Sequence, residues 1–241
     1  MFQLFRAAVA NAIEAAGGDT ELVPKALSQA CVEVLPIAGA GISLIGTLRV
    51  PLGASDVVAA RAELLQTTLG EGPCLAAAAA GEPLVADLST IAARWPAFHH
   101  EFLSETPYRS VVSVPLLARN RVALGALDLY LVPETTPHLS VSQVIEAIAA
   151  PIGIVLFDQH PILAGSDEQP PWMDNDAVKQ RARVWIAVGI LMAHAHVGND
   201  DALAALRAHA FARGETLDDT AARIMSRELR PQSVLSPRTI A

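Results

Sequence analysis

Cysteine, charge and long apolar runs are all scarce in this chain. Two cysteines in 241 residues, Cys31 and Cys74, form neither a disulfide framework nor a zinc-finger pattern. The apolar stretch over residues 147–157 contains Pro151 and falls short of the roughly 20 residues a membrane-spanning helix needs. Met1-Phe2-Gln3-Leu4-Phe5 lacks the basic start and continuous apolar core of a secretory signal, so a cytoplasmic protein without a membrane partner is expected. No glycine-rich phosphate loop opens a helix, no Gly-x-Ser-x-Gly elbow occurs, and His99-His100-Glu101 is not a zincin helix. An enzyme is therefore not expected, and a Ser/His/Asp triad assembled at long range is the least favoured reading. With 52% apolar and 17% charged residues the chain is globular and has ample material for a core. There is no basic excess either. Residues 1–172 hold 8 Lys+Arg against 17 Asp+Glu, and residues 173–241 hold 9 against 8. The second part is less acidic, yet far from the usual basic footprint of a nucleic-acid binder.

The most informative segment that is present runs from Val184 through Trp185, Gly189 and Leu191 to Met192, nine apolar residues in a helical context. A surface helix carries one apolar stripe. This one predicts coverage on two sides, by its own domain and by a second surface. Gly189 costs roughly 1 kcal/mol relative to alanine mid-helix, which predicts that another backbone comes close there. Gly198-Asn199-Asp200-Asp201 then supplies turn and N-cap chemistry. Leu203, Leu206 and Ala210 recur at helical spacing up to Gly214. Thr216-Leu217-Asp218-Asp219 is a variant capping box, with Leu217, Ala221, Ile224 and Met225 following at helical spacing before Pro231. Three helices in about sixty residues make a compact helical module.

These residues, from Arg181-Ala182-Arg183 through Val188-Gly189-Ile190-Leu191-Met192, with Ala202-Leu203, Leu206-Arg207, His209-Ala210 and Leu217…Ala221, resemble the ANTAR domain over about residues 177–229. The resemblance implies a three-helix RNA-binding module of bacterial transcription antiterminators, acting as a homodimer on paired RNA stem-loops. It makes Lys179, Arg181, Arg183, Arg207, His209, Arg213 and Arg223 the candidate RNA-binding residues. Trp185, Gly189, Met192 and Leu206 become candidate helical-core or dimer contacts. Any single arginine is equally well read as part of a solvated helix face, and Arg181 and Arg183, about 200° apart, cannot both face one ligand. His194, His196 and His209 have no cysteine or carboxylate cluster near them and read as surface histidines. The chain departs from the family pattern at Val188, where a lysine is usual, at Trp185-Ile186, where a polar pair is usual, and at Phe211, where an arginine is usual. Each departure predicts less polarity where phosphate would be met.

The remainder reads as an α+β domain with one antiparallel sheet. Phe2, Phe5, Val9 and Ile13 are spaced for a helix, and a second opens between Thr20 and Pro24 with Leu27, Ala30, Cys31 and Val34 buried. Short β-branched runs at Ile42–Ile45, Leu84–Ala86, Ser110–Leu117 and Val122–Leu131 predict strands, with a hairpin tip at Arg119-Asn120-Arg121. Asp128 is expected to be the outward member of its strand. Ser140 and Gln143 are spaced to cap a helix with Val141, Val144, Ile145, Ile148 and Ile152 inward. Leu64-Leu65-Gln66, Gly70-Glu71-Gly72-Pro73-Cys74-Leu75, Pro83–Leu88, Arg94-Trp95-Pro96-Ala97-Phe98, Arg109–Leu116 and Gly125–Tyr130 resemble a GAF domain, and more narrowly the sensor half of GAF–ANTAR regulators. The resemblance implies a six-stranded antiparallel sheet that holds a small-molecule effector or serves as a dimerisation platform. The cyclic-nucleotide signature Asn-Lys-x-Phe-Asp-Glu is not found, so no cofactor is identifiable and the ligand is unknown. Cys74, Trp95, Tyr108 and Arg109 are its candidate ligand-binding residues, set against packing roles for each. His99-His100 as haem ligands are weighed and set below a surface pair.

The expected organisation is an N-terminal helix over 1–19, the GAF-like domain over 20–157, a Pro/Gly-rich linker over 158–173, the three-helix module over 174–230 and a tail over 231–241. Pro161, Pro170 and Pro171 bar a continuous helix through the linker, which favours control by domain placement or dimer geometry. The leading expectation is a signal-responsive regulator that binds stem-loop RNA to cause antitermination. Its alternative is a dimerisation or protein-docking regulator whose helices have lost RNA binding. A DNA-reading helix-turn-helix ranks third, since no helix carries the Arg, Lys, Asn and Gln suited to base edges.

Overall fold

A computed structural model describes residues 1–15, 17–19, 22–46, 48–118, 121–133, 140–158 and 176–235. The chain divides into two compact units, one of Met1–Thr67 and Glu71–Asn175, the other of Asp176–Ala241 with Thr68–Gly70. The expected linker lies almost wholly outside the described residues.

The first unit opens with α1 (Phe2–Ala15) and α2 (Val23–Val34), which pack on each other. Pro24 sits in the first turn of α2, where its missing N–H is not needed, and Leu27, Ala30 and Cys31 are buried as the spacing predicts. Five antiparallel strands follow among the described residues: β1 (Gly39–Leu44), β2 (Val50–Ala54), β3 (Leu84–Asp87), β4 (Ser110–Leu117) and β5 (Ala123–Leu131), in the order β2-β1-β5-β4-β3. Between them come α3 (Val57–Leu69), α4 (Pro73–Ala80), α5 (Leu88–Arg94) and α6 (Pro96–Glu105). The helical segment after the sheet comprises α7 (Val141–Val144), a π-turn at Ile145–Ala149, α8 (Ala150–Gly153) and a second π-turn at Ile154–Asp158. Ser140 accepts from the Gln143 N–H, and Val144, Ile148 and Ile152 are fully buried.

Both faces of the sheet are covered. Gly53, opposite Ile42 in the β1–β2 pairing, lies against the backbone of Pro24 and Lys25 at the start of α2. On the other face Ser43, Asp128 and Tyr130 bond to Glu63 and Gln66 of α3, and α4 packs on β3, β4 and β5. Double coverage corrects the expectation for Asp128. It is not an outward residue but is buried beneath α3, because this sheet has no outward face along β5.

The second unit is a helical module: α9 (Asp176–Ala195), α10 (Asn199–Ala212), α11 (Leu217–Met225) and a short α12 (Pro231–Leu235). Its core is Val184, Ala187, Val188 and Leu191 from α9, Ala202, Leu203, Leu206 and Ala210 from α10, and Leu217, Ala221 and Ile224 from α11. Asp200 and Asp201 lie in the first turn of α10, where negative charge meets the positive end of the helix dipole. Gly214 takes the left-handed conformation that ends α10 (φ 63°). Thr216 caps α11 by accepting from the Asp219 N–H at 3.0 Å, and its hydroxyl donates to the Asp219 carboxylate at 2.6 Å. Pro231 follows the last turn of the module. It opens α12, whose Val234 is buried.

Candidate nucleic-acid interface and sensor interior

In the helical unit the sequence candidates separate sharply. Arg181 is only 3% exposed, and its guanidinium donates to Asp218 of α11 at 2.8 Å. It ties α9 to α11 inside the bundle and does not face a ligand, which corrects its place among the RNA-binding candidates. Arg183, on the opposite side of the same helix, is exposed, as are Lys179 and Arg213. Arg207 and His209 are half-buried on α10. Arg223 is partly exposed and donates to Glu215 at 2.5 Å.

The apolar run of α9 is covered on one side by this chain. Val184, Ala187, Val188 and Leu191 turn inward, whereas Trp185 and Ile186 remain 38% and 52% exposed. A Cβ built on Gly189 meets nothing within 4 Å. Among the described residues the predicted close backbone approach is not made, and helix geometry places Ala182, Ile186, Gly189 and Ala193 along one exposed seam at 4-3-4 spacing. Leu206 is a core residue, and Met192 is half-buried at the edge of the bundle. Val188, where the family pattern has a lysine, is 1% exposed and belongs to the core. Phe211, 43% exposed, does put an apolar ring where solvent lies.

In the sheet unit, two of the four ligand candidates flank one buried polar cluster. Arg49 donates to Glu63, to the Glu63 carbonyl at 2.5 Å and to Thr67 Oγ1 at 3.0 Å, with Asp128 at 3.4 Å. Asp128 also accepts from Ser113 Oγ at 2.5 Å and Gln66 Nε2 at 2.6 Å, while Glu63 accepts from Ser43 and from Tyr130. Gly41 leaves the room in which the Glu63 carboxylate lies over β1; a Cβ there would collide with it. One guanidinium faces two carboxylates, which raises the cost of ionising both at once. Asp128 is pushed up to about 7, by burial first and then by the Glu63 charge, against the pull of Arg49. Cys74 is fully buried, its backbone N–H donates to Gln66 Oε1 at 3.0 Å, and burial pushes its thiol well above the usual range. Tyr108 is buried and stacks on Tyr130 with ring centroids 4.8 Å apart. Trp95, largely buried between α5 and α6, carries the Arg94 guanidinium over its ring at 4.5 Å. Arg109 donates to the Thr106 and Tyr108 carbonyls at 3.2 and 2.6 Å, holding the turn before β4.

The sequence reading missed Arg49 and Glu63, and named Gln66 only as part of the family resemblance, not as a site residue. A usable signal was present. Glu63, Gln66 and Thr67 fall at i, i+3 and i+4 and so share one helix face with the small residues Ala59 and Ala62. A polar face aligned with an Asp inside an apolar strand marks a buried network. Among the described residues no group of three or more His, Cys, Asp and Glu is arranged to hold a metal, and no helix is long and apolar enough to cross a membrane.

Residues 5–156 match the GAF domain family and residues 175–225 match the ANTAR domain family. No curated protein matches the chain. Among solved structures it is similar to the GAF domain of a phosphoenolpyruvate-protein phosphotransferase from Coxiella burnetii, at 16% identity and TM-score 0.48, covering 68% of this chain and 97% of that one. The GAF domain of an Acinetobacter phosphoenolpyruvate-protein phosphotransferase is similar at 12% identity and TM-score 0.44, covering 70% and 100%. An RNA-binding light-oxygen-voltage receptor aligns at 18% identity and TM-score 0.23, covering 81% and 51%. The GAF match begins inside α1, runs through the sheet and takes in well over half of the chain. The chain belongs to the GAF domain family and joins that domain to a C-terminal ANTAR domain.

Proposed function

We propose that this protein is a signal-responsive regulator whose ANTAR unit binds stem-loop RNA and thereby causes antitermination, with the GAF unit receiving a small-molecule effector. The observation that carries the reading is the ANTAR match over 175–225 on a folded helical unit that keeps Lys179, Arg183 and Arg213 exposed. Lysine and arginine on such a surface release counterions from phosphate, so affinity falls steeply with salt. RNA loops would be met through phosphates and unstacked bases, and function would require two copies, paired along the exposed seam of α9. The test is an electrophoretic shift of the full chain with a labelled RNA carrying two tandem stem-loops. A saturable complex at low salt that dissolves as salt rises is expected; no complex at low salt would defeat the RNA reading.

A second reading draws on Trp185, Ile186 and Phe211, exposed apolar side chains where the family pattern is polar. In it the helical unit is a dimerisation or protein-docking element without RNA. Stable self-association together with indifference to RNA would select it.

A further inference from the structure

Past the last residue of the ANTAR match the chain does not trail away. Arg227 turns it through a left-handed conformation (φ 65°), and the Leu229 N–H donates to the Arg223 carbonyl at 2.9 Å. Leu229 and Val234 are buried, and α12 packs on α9 and α10. This fixed return leaves an open groove of about 530 Å³ within the helical unit, in which Arg213 from the end of α10, Arg223 from the last turn of α11 and Arg230 converge. Gln232 and Ser233 add polar groups to the same wall, and among the described residues Glu228 is the carboxylate that lines it. Glu215 takes one nitrogen of Arg223 and orients that side chain.

With Glu215 bonded to Arg223 and Glu228 on the wall, the described residues set three guanidiniums against two carboxylates. An anion in the groove would offset that surplus of positive charge. Each guanidinium offers planar donors matched to phosphate oxygens, and the side-chain amide and hydroxyl of Gln232 and Ser233 extend the donor set. Glu228, Leu229, Arg230, Gln232 and Ser233 all lie beyond residue 225, so most of the groove wall is an addition to the family-matched segment. We infer that the groove bounded by Arg213, Arg223 and Arg230 is a phosphate-binding site that holds the backbone of the bound RNA. The inference rests on the reading of the unit as an RNA binder and adds a place for the strand on it. The alternative source of the same chemistry is free inorganic phosphate.

The experiment uses the full chain, the labelled tandem stem-loop RNA and the variants R213Q, R230Q and R230K, the first two altering exposed side chains whose loss leaves the core intact. Binding is measured across a salt series, with melting curves recorded to show that the variants stay folded. Each glutamine variant should lower affinity and reduce the slope of log affinity against log salt by about 1, with R230K close to the wild type in slope. Unchanged affinity and slope in R213Q and R230Q, while the wild type binds, would overturn the inference and leave the RNA reading standing. No binding by the wild type would overturn both. A thermal shift with inorganic phosphate alone that R230Q abolishes, beside unaltered RNA binding, would assign the groove to free phosphate and overturn the RNA assignment.

Discussion

Arg181 and Arg183 stand two positions apart on α9 and do unlike things. Arg181 is buried against Asp218, and removing one partner of such a pair leaves an uncompensated charge in the bundle. Arg181→Ala should cost about 3 kcal/mol in the transition of the helical unit, read by chemical denaturation of the full chain. Arg183→Ala should change stability by less than about 0.5 kcal/mol and act on RNA affinity instead. Equal stability losses in both variants would contradict this division. Asp128 yields a prediction in pH. Its folded pKa of about 7 lies above the ordinary carboxyl value, so the native state binds the proton more tightly than the unfolded chain does. Its contribution to stability is full below about pH 4 and is lost as pH rises through about 7. Asp128→Asn keeps the shape and removes that titration. The difference in unfolding free energy between wild type and D128N should therefore move against the wild type from pH 5 to pH 8, and a pH-independent difference would contradict the assignment.

Elements with clear periodicity and caps were legible in the sequence, and others were not, for identifiable reasons. Thr216, Ser140 and Pro24 begin their helices as their chemistry demands, and β3, β4 and β5 follow their β-branched runs closely. β2 was missed because Pro51 and Gly53 interrupt it. It stands at the edge of the sheet, where proline is tolerated. α3 and α4 were missed because alanine-rich helices pressed on a sheet, one with a polar inner face, show no ordinary amphipathic stripe. The candidate site was legible in part. Residue types on α9 were readable, but which of two arginines turns inward depends on Asp218, 37 positions away. The groove at Arg230 was hidden because Pro231 reads as a stop, whereas it starts α12. The exposed seam of α9 supplies a prediction of its own. Ile186→Glu places a charge in it without disturbing the core, and should shift the protein to monomer in sedimentation experiments. A wild type that is monomeric at every concentration tested would contradict pairing along α9.

The whole molecule joins a sheet unit whose interior holds a buried polar cluster to a helical unit that presents arginines to solvent. Control by domain placement would act through residues 158–173, which join the two units in sequence. Deleting residues 161–171 should leave both units folded and abolish any effect of effector on RNA binding, measured as affinity with and without a compound that raises the melting temperature of the protein. An effector response that survives the deletion would contradict control by domain placement. The most direct measurement of the central claim is transcriptome-wide RNA crosslinking to the intact protein, followed by titration of the recovered RNA across salt. The account predicts enrichment of RNAs that contain stem-loops ahead of terminators, bound in a saturable complex that weakens steeply with salt. Crosslinking no greater than that of an unrelated protein, or binding indifferent to salt, would contradict it.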